Sequence, residues 1–164
     1  MYEITITTPE DAPVRKVIEA HVAYGDQHYP TVSNYHLAPS EYLQSETSLF
    51  AAWRDGECVG ISAMRLLTNV TAELKSVHVL PSARGTGLGR ELVQAVLALA
   101  QAKGVTTVFL ETGSRDASRA ARCLYEDLGF VYCPPFGDYK DDPESVFMMK
   151  NLQRAENNMT RVKV

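Results

Sequence analysis

The chain has 164 residues, a length that favours one domain around a single hydrophobic core. Hydrophobic residues make up 45% of it and charged residues 22%, and the formal net charge of −4 argues against a protein that binds a nucleic-acid backbone. The three cysteines and four histidines show no metal-ligand spacing, and no apolar run is long enough to span a bilayer. We therefore predict a cytoplasmic protein with no metal, no nucleic-acid partner and no membrane partner.

The N-terminal quarter of the chain predicts a strand, a helix and a long loop. Residues 2–8 alternate between apolar and polar side chains, which is typical of a strand. Thr8 is the predicted N-cap of a helix that Pro9 opens and that runs to about Tyr24. Residues 25–39 are irregular and rich in polar and aromatic side chains, so we expect a functional loop there.

The remaining pattern predicts an antiparallel meander that leads into a βαβ unit. Asp55-Gly56 is a strong hairpin signal, and Gly104 and Gly129 each end a predicted helix. The predicted strands cover about 48–54, 58–68, 72–80, 105–112, 130–133 and 145–150, and the two later helices cover about 88–103 and 118–128. The predicted fold class is α/β, in the form of a mixed α+β sheet, with one domain over 1–150 and a polar tail over 151–164.

A glycine-rich turn separates the third meander strand from the long helix. It places Gly85, Gly87 and Gly89 in five positions, and Arg84 and Arg90 flank them. The first turn of a helix leaves backbone N–H groups unpaired, and glycine allows an anion to approach them closely. The turn therefore predicts a phosphate cradle, with a simple tight turn as the alternative.

Two other phosphate-binding motifs fit this turn less well. A Walker loop needs a Lys-Ser/Thr pair, which is absent here. A dinucleotide-binding loop needs a glycine where Arg90 stands and should follow the first strand of a doubly wound sheet. Glu111 lies at a suitable distance for a ribose contact, so a nucleotide-dependent enzyme stays an alternative.

The stretch "VHVLPSARGTGLGRELV" over 77–93 resembles the acyl-CoA signature of the GNAT N-acetyltransferase superfamily. "CLYEDLGF" over 123–130 resembles the ending of the same family's domain. The resemblance covers most of 1–150. It implies a sheet that splays between the strands 72–80 and 105–111, and acetyl-CoA as the co-substrate.

The resemblance also implies which residues hold acetyl-CoA. Backbone N–H groups of the turn would bind the pyrophosphate, and the strand edge near Val77 and Val79 would pair with the pantetheine arm. Many relatives carry an asparagine where this chain has Ser118, whose reach is shorter. The predicted co-substrate-binding residues are Val77, His78, Val79, Arg84, Gly85, Thr86, Gly87, Leu88, Gly89, Arg90 and Ser118.

Acetyl transfer to an amine needs a base, an acid and a donor for the oxyanion. Glu73 matches the family's glutamate base, and Tyr125 matches a tyrosine beside the CoA sulfur. The oxyanion would accept from the backbone N–H of Val77 or His78. The imidazole of His78 is the rival base, but regular strand alternation would turn it away from the face that carries Glu73.

The acceptor should enter between the two irregular loops. Aromatic walls with a carboxylate suit a small amine cation, and the predicted acceptor-binding residues are Tyr29, Asn34, Asp138 and Tyr139. We predict an acetyl-CoA-dependent N-acetyltransferase of a small primary amine. The alternatives are a non-catalytic acyl-CoA-binding module and acetylation of a protein amine, and an exposed C-terminal strand edge would favour a homodimer.

Overall fold

Seven strands form one mixed sheet in the order β1-β2-β3-β4-β5-β7-β6, with helices on both faces. The computed structural model describes residues 1–153. The strands are β1 Glu3–Thr7, β2 Thr47–Arg54, β3 Glu57–Leu66, β4 Thr71–Val79, β5 Thr107–Gly113, β6 Val131–Cys133 and β7 Ser145–Asn151. The helices are α1 Ala12–His28, α2 Leu88–Ala102 and α3 Arg119–Asp127, with 3₁₀ turns at Thr31–Ser33, Pro39–Leu43, Pro81–Ala83 and Asp116–Ser118. The α/β architecture predicted from the sequence is confirmed.

The meander forms as its turn residues predict. Asp55 and Gly56 join β2 to β3 with φ angles of 52° and 80°, the left-handed pair that a tight hairpin requires. Gly104 and Gly129, which follow α2 and α3, also have positive φ angles of 79° and 90°. These local stop signals explain why the predicted ends of the elements agree with the observed ones to within a few residues.

Each face of the sheet has its own hydrophobic core. Leu88, Leu92 and Val96 of α2 are buried against one face, together with Leu74 of β4 and Leu110 of β5. Val14, Val17 and Ile18 of α1 are buried against the other face, beneath β2 and β3. The sheet is therefore the middle layer of three, and a side chain's position along a strand decides which helix layer it meets.

The two parallel strands pair over only part of their length. β4 and β5 are in register from Thr71–Thr107 to Leu74–Leu110. β4 continues along β3 to Val79, and β5 continues along β7 to Gly113. Each strand therefore follows its outer neighbour, and the predicted splay between them is confirmed.

The start and the end of α1 differ from the prediction. Asp11 is its N-cap residue, and Pro13 occupies the first turn. Thr8 instead accepts from the backbone N–H of Glu10 through its hydroxyl, at 3.3 Å, so it closes a local turn before the helix. The helix continues to His28, and the backbone N–H of Tyr29 still donates to the carbonyl of Gly25 at 2.9 Å. Asn34 packs against Gly25, where any Cβ would collide with its side-chain amide. The irregular segment predicted over 25–39 is correspondingly shorter.

The C-terminal edge of the sheet is the three-residue strand β6, because β7 lies between β5 and β6. An edge this short offers little backbone for pairing with a second copy, and the homodimer stays a prediction. β7 ends at Asn151, and residues 154–164 of the predicted tail lie outside the described residues. Among the helices of residues 1–153, none has both the length and the apolar character needed to cross a membrane.

We predict that Gly113→Ala destabilises the protein by about 1–3 kcal/mol through overpacking. A Cβ at Gly113 would collide with the hydroxyl of Tyr29 and lie 2.6 Å from Oγ of Ser118. Gly56→Ala is the control, because its Cβ would meet no atom within 4 Å and only its φ of 80° is strained. Chemical denaturation of both variants measures this, and a Gly113→Ala protein as stable as the wild type would contradict the packing at the end of β5.

Candidate active site

A cleft of about 190 Å³ opens where β4 and β5 separate. Its walls come from the C-terminal half of α1, from β4 after Leu74, from the end of β5, and from the segment that leads into α3. Glu111, Tyr125 and Tyr139 line it, as do Lys75 and His78. Because the two strands no longer bond to each other here, the cleft has main-chain groups as well as side chains in its walls.

A β-bulge at Ser76 decides which side chains of β4 share a face. Lys75 pairs with Ala63, and His78 pairs with Ile61, so three residues of β4 are matched by two residues of β3. Ser76, inside this stretch, has a φ of 57°. The extra residue reverses the alternation, as bulges do.

The reversal corrects the predicted position of His78. Leu74 and Val77 both contact the α2 layer, whereas the ring of His78 lies 5.4 Å from that of His21 on α1. His78 is therefore on the α1 face, like Glu73. Regular alternation had placed it on the opposite face, and a single residue with positive φ overturned that expectation.

The free edge of β4 carries backbone donors into the splay. The N–H of Leu80 donates to the carbonyl of Val59 on β3 at 2.9 Å. Alternation along the ladder then points the amide of His78 towards β3 and those of Val77 and Val79 towards the gap beside β5. Of the two oxyanion donors expected from the sequence, the geometry favours Val77.

The glycine-rich turn has the open main chain that the sequence predicts. Gly85 and Gly87 have φ angles of 74° and 85°, and a Cβ at either position would meet no atom within 4 Å. Within residues 1–153, none of the backbone N–H groups of 85–90 has a hydrogen-bond partner. The turn therefore combines a steric need for glycine with a row of unpaired donors at the start of α2, which together suit a phosphate.

Gly89 has a different role from the other two glycines. It lies inside α2, and a Cβ there would be 3.3 Å from Cδ2 of Leu124 on α3. Its lack of a side chain allows the two helices to approach closely. The side chain of the neighbouring Leu88 is buried in the core, so this residue can offer an anion only its backbone.

The polar side chains of the turn already have partners. Arg84 donates from Nε to the carbonyl of Val79 at 3.0 Å, and its guanidinium carbon lies 5.6 Å from the ring centre of Tyr24. Thr86 donates to the carbonyl of Ala83 at 2.6 Å. Arg90 forms an ion pair with Asp127 at 3.5 Å across to α3. The backbone, more than these side chains, forms the anion site.

Ser118 and Tyr29 bind each other in the structure. Their hydroxyl oxygens are 2.7 Å apart, and the oxygen of Tyr29 also accepts from the backbone N–H of Arg115 at 3.1 Å. Both residues line the cleft. The predicted co-substrate contact at Ser118 and the predicted acceptor contact at Tyr29 are therefore parts of one hydrogen-bonded junction between α1 and α3.

Tyr125 lies in the cleft with its ring in the core. It is buried between the sheet and α3, and its ring centre is 5.9 Å from that of Phe130. Burial, with a further contribution from the charge of Glu111, raises the pKa of the Tyr125 phenol above its usual range. Its hydroxyl makes no hydrogen bond to residues 1–153. A protonated hydroxyl without a partner at a cleft wall can donate to a ligand.

Glu73 is buried, and its Oε2 is already in use. It accepts from the hydroxyl of Tyr139 at 2.6 Å and from Nζ of Lys75 at 3.4 Å. Lys75 also donates to the hydroxyl of Tyr139 at 2.9 Å and to the carbonyl of Tyr35 at 3.1 Å. The three side chains form one closed network on the acceptor side of the cleft.

Glu111 is a candidate functional residue that the sequence analysis did not consider as a base. It sits near the end of β5, and its Oε2 is buried without a hydrogen-bond partner in residues 1–153. Burial raises the pKa of this carboxyl from 4.5 to about 7, with a further contribution from the charge of Glu73, while Lys75 opposes the shift. The position of Glu111 along β5 was the available signal. Phe109 is the register partner of Glu73, and Glu111 follows Phe109 by two residues, so Glu111 and Glu73 lie on the same face of the sheet.

The two histidines beside the cleft are poor bases at neutral pH. Burial is the main cause that lowers the pKa of His21 to about 3 and that of His78 to about 4, and the proximity of His78 contributes to the shift at His21. Both imidazoles are therefore neutral near pH 7. A base works best when its pKa lies near the operating pH, which favours the Glu111 carboxyl over the His78 imidazole.

The predicted acceptor-binding residues divide into two groups. Asn34 and Tyr139 line the cleft, where the ring of Tyr139 lies 5.2 Å from that of Tyr35. Asp138 is exposed and is not part of the cleft wall, so the structure does not bring it together with the others. Among residues 1–153, no group of three or more His, Cys, Asp or Glu side chains is arranged to hold a metal ion.

A cleft lined by a carboxyl and a phenol, together with a helix start whose backbone N–H groups are unpaired within residues 1–153, suits group transfer from a phosphate-bearing donor. The acetyltransferase (GNAT) family model matches residues 14–130. The chain is 37% identical over 144 residues to the IAA acetyltransferase of Azospirillum brasilense, covering 87% of this chain and 92% of that protein. A solved structure of an acyl-CoA N-acyltransferase from Klebsiella pneumoniae is 33% identical to this chain, with a TM-score of 0.78. The match covers 93% of this chain and 99% of the Klebsiella chain.

The chain therefore belongs to the GNAT family and is an acetyl-CoA-dependent N-acetyltransferase by class. A GNAT acetyltransferase from Elizabethkingia anophelis, solved with acetyl-CoA bound, has a TM-score of 0.67 at 17% identity, over 92% of this chain and 98% of its own. At that identity the likeness shows the shared fold alone.

We predict that Glu111→Gln makes the protein more stable relative to wild type as the pH rises. The folded protein keeps the proton of Glu111 up to about pH 7, while the unfolded chain loses it near the ordinary value of 4.5. The free energy of unfolding of the wild type therefore falls by up to about 3 kcal/mol between pH 4.5 and about pH 7. Glutamine does not titrate, so the Glu111→Gln protein does not show this fall.

Chemical denaturation at pH 4.5 and pH 8 measures this difference. Glu57→Gln, at the exposed start of β3, is the matched control and should show the same pH dependence as the wild type. A Glu111→Gln protein whose stability relative to wild type is the same at both pH values would refute the buried, uncompensated carboxyl.

Proposed function

We propose that this protein transfers the acetyl group of acetyl-CoA to the primary amine of a small molecule, by direct attack while both substrates are bound. The observation that carries the proposal is the position of Glu111 and Tyr125, which face one cleft where β4 and β5 part. The Glu111 carboxylate can accept a proton in the cleft, and the Tyr125 hydroxyl can donate one. Direct transfer needs no enzyme nucleophile.

The glycine-rich turn and the free edge of β4 supply the acetyl-CoA site of this proposal. The unpaired amides over 85–90 bind the pyrophosphate, and the positive end of α2 strengthens that contact. The main-chain groups of Val77 and Val79 that face the splay bind the amides of the pantetheine arm. The arm then leads from the turn into the cleft, towards Tyr125.

Glu111 accepts the proton that an ammonium must lose before it can attack. Its raised pKa keeps a useful fraction of carboxylate near neutral pH and makes that carboxylate a stronger base than an ordinary glutamate. As the C–N bond forms, the backbone N–H of Val77 stabilises the carbonyl oxygen that becomes negative. Tyr125 donates its proton to the sulfur as the C–S bond breaks, so that CoA leaves as a thiol. The second proton lost by the nitrogen returns to the Tyr125 oxygen, and Glu111 releases the first proton to solvent.

Glu73, the base predicted from the sequence, has a supporting role in this proposal. One of its oxygens binds both Tyr139 and Lys75, so deprotonating an amine there would disturb two hydrogen bonds. Glu111 has a buried oxygen that no group in residues 1–153 uses. The two carboxylates lie on the same face of the sheet, but Glu111 lines the cleft and Glu73 does not, and kinetics separates their roles.

We predict that Gly87→Ala raises the KM for acetyl-CoA at least about tenfold, which corresponds to a loss of about 1.4 kcal/mol of binding free energy. The added methyl would project from the amides that bind the pyrophosphate. Gly104→Ala, at the other end of α2, is the control, since its φ of 79° is equally strained and its Cβ also meets nothing within 4 Å. Both variants should lose similar stability, and an unchanged KM in Gly87→Ala would exclude the turn as the anion site.

We predict that Glu111→Gln lowers kcat/KM by about 10²- to 10⁴-fold and that Tyr125→Phe lowers it by about 10²-fold. The wild-type kcat/KM should fall as the pH drops below about 7, following the pKa of Glu111, and Glu111→Gln should lose that dependence. Release of free CoA with a panel of primary amines is the measurement. If Glu73→Gln removes the pH dependence instead, the base is Glu73, as the sequence suggested, and an enzyme that acetylates no amine excludes the proposed function.

A further inference from the structure

The cationic side chain of the cleft has no donor left for a ligand. Lys75 is the sole Lys or Arg among the described residues that line the cleft. An ammonium group has three N–H donors, and those of Lys75 bind the Glu73 carboxylate, the Tyr139 hydroxyl and the Tyr35 carbonyl. Its charge is also balanced by Glu73, which lies beside it. A substrate carboxylate could bind Lys75 only by displacing one of these partners.

The other lining side chains that could carry a positive charge do not offer one to a ligand. His21 and His78 are held neutral by burial. His36 lies at the mouth, with Nε2 3.7 Å from the carboxylate of Asp26. The amide nitrogen of Asn34 also donates to Asp26, at 2.8 Å. The described walls therefore hold no uncommitted cationic site for an anion.

The cleft wall instead holds a carboxyl oxygen that has no partner among the described residues and that accepts hydrogen bonds. Oε2 of Glu111 is buried without a partner, and Glu73 lies on the same face. A carboxylate on the carbon next to the reacting amine would be brought close to these two carboxyl groups. Like charges placed together cost several kcal/mol, and no uncommitted cationic side chain in the described walls would offset that cost.

The walls around this acceptor favour an apolar or aromatic substrate body. Tyr35 and Tyr139 form an edge-to-face pair at the mouth, and Tyr139 also packs at 5.0 Å against Phe136. Such rings bind flat or aliphatic groups and attract a cation over their faces. They provide no charge that would recognise an anionic body.

We infer that the acceptor is an alkyl or arylalkyl primary amine that carries no carboxylate beside its amino group, because the cleft's lysine is saturated while its glutamate has an unused oxygen. The inference rests on the proposed function and adds the class of substrate to it. An amine of this class would enter with its ammonium on Glu111 and its body against Tyr35 and Tyr139. An α-amino acid with the same side chain would be excluded by its carboxylate.

Matched pairs of acceptors test this with the full-length protein and acetyl-CoA. Phenethylamine is compared with phenylalanine, and 3-methylbutylamine with leucine, so that the members of each pair differ only in the carboxylate. We expect kcat/KM to favour the amine by at least about 100-fold in each pair. The methyl ester of phenylalanine, which keeps the bulk but removes the charge, should recover most of the loss. Equal or better use of the amino acids would overturn the inference and leave the proposed function intact.

Tyr139→Phe tests the cause of the discrimination. The substitution removes one partner of Lys75 and frees one of its N–H donors. The ratio of kcat/KM for the amine to kcat/KM for the amino acid should therefore fall at least about tenfold in each pair. Tyr132→Phe is the control, because Tyr132 is on the exposed strand β6, where it bonds to Glu126. An unchanged preference in Tyr139→Phe would overturn the saturated lysine as the cause. If the wider panel of primary amines releases CoA but no member of either pair does, the inference is wrong and the proposed function stands. If no amine of the panel releases CoA, the proposed function is excluded, and the inference with it.

Discussion

The whole site depends on the end of hydrogen bonding between β4 and β5 after the pair Leu74–Leu110. Backbone groups in a sheet interior normally bind a neighbouring strand, and leaving them unpaired is costly unless a ligand or water takes that place. Here each strand is held by a different neighbour, β4 by β3 and β5 by β7, so neither can close the gap. The fold thereby keeps a strand edge open inside the sheet, with Glu111 and Tyr125 beside it.

The bulge at Ser76 sets the chemistry of the face that this opening exposes. Without the extra residue, β4 would present Glu73 and Val77 to one layer, and His78 would point to the other. With it, Val77 and Val79 contact the α2 layer while His78 packs against His21 on α1. The hydroxyl of Ser76 lies 2.7 Å from that of Tyr42, which holds the strained residue from the α1 side. Backbone strain at a site of this kind persists because the surrounding packing enforces it.

The parts of the fold that local sequence rules govern could be predicted. Asp55-Gly56 sets its own turn, Gly104 ends its own helix, and the glycine-rich turn signals an open helix start by composition alone. The Ser76 bulge could not be predicted, because serine has no preference for positive φ and the extra residue is revealed by the register with β3. The extension of α1 through Gly25 was also missed, because a glycine followed by polar residues is a usual stop signal for a helix.

The assignment of the base shows how far such prediction extends. Glu73 and Glu111 are both strand glutamates on one face, and no local pattern distinguishes them. The distinction comes from their partners, because Lys75 and Tyr139 both donate to Glu73, and the carbonyl of Tyr35 holds Lys75 in place. One carboxylate is thereby neutralised, and the other is left buried with a raised pKa. Because the network holds the only lysine of the described cleft wall on Glu73, Oε2 of Glu111 is left without a partner among the described residues.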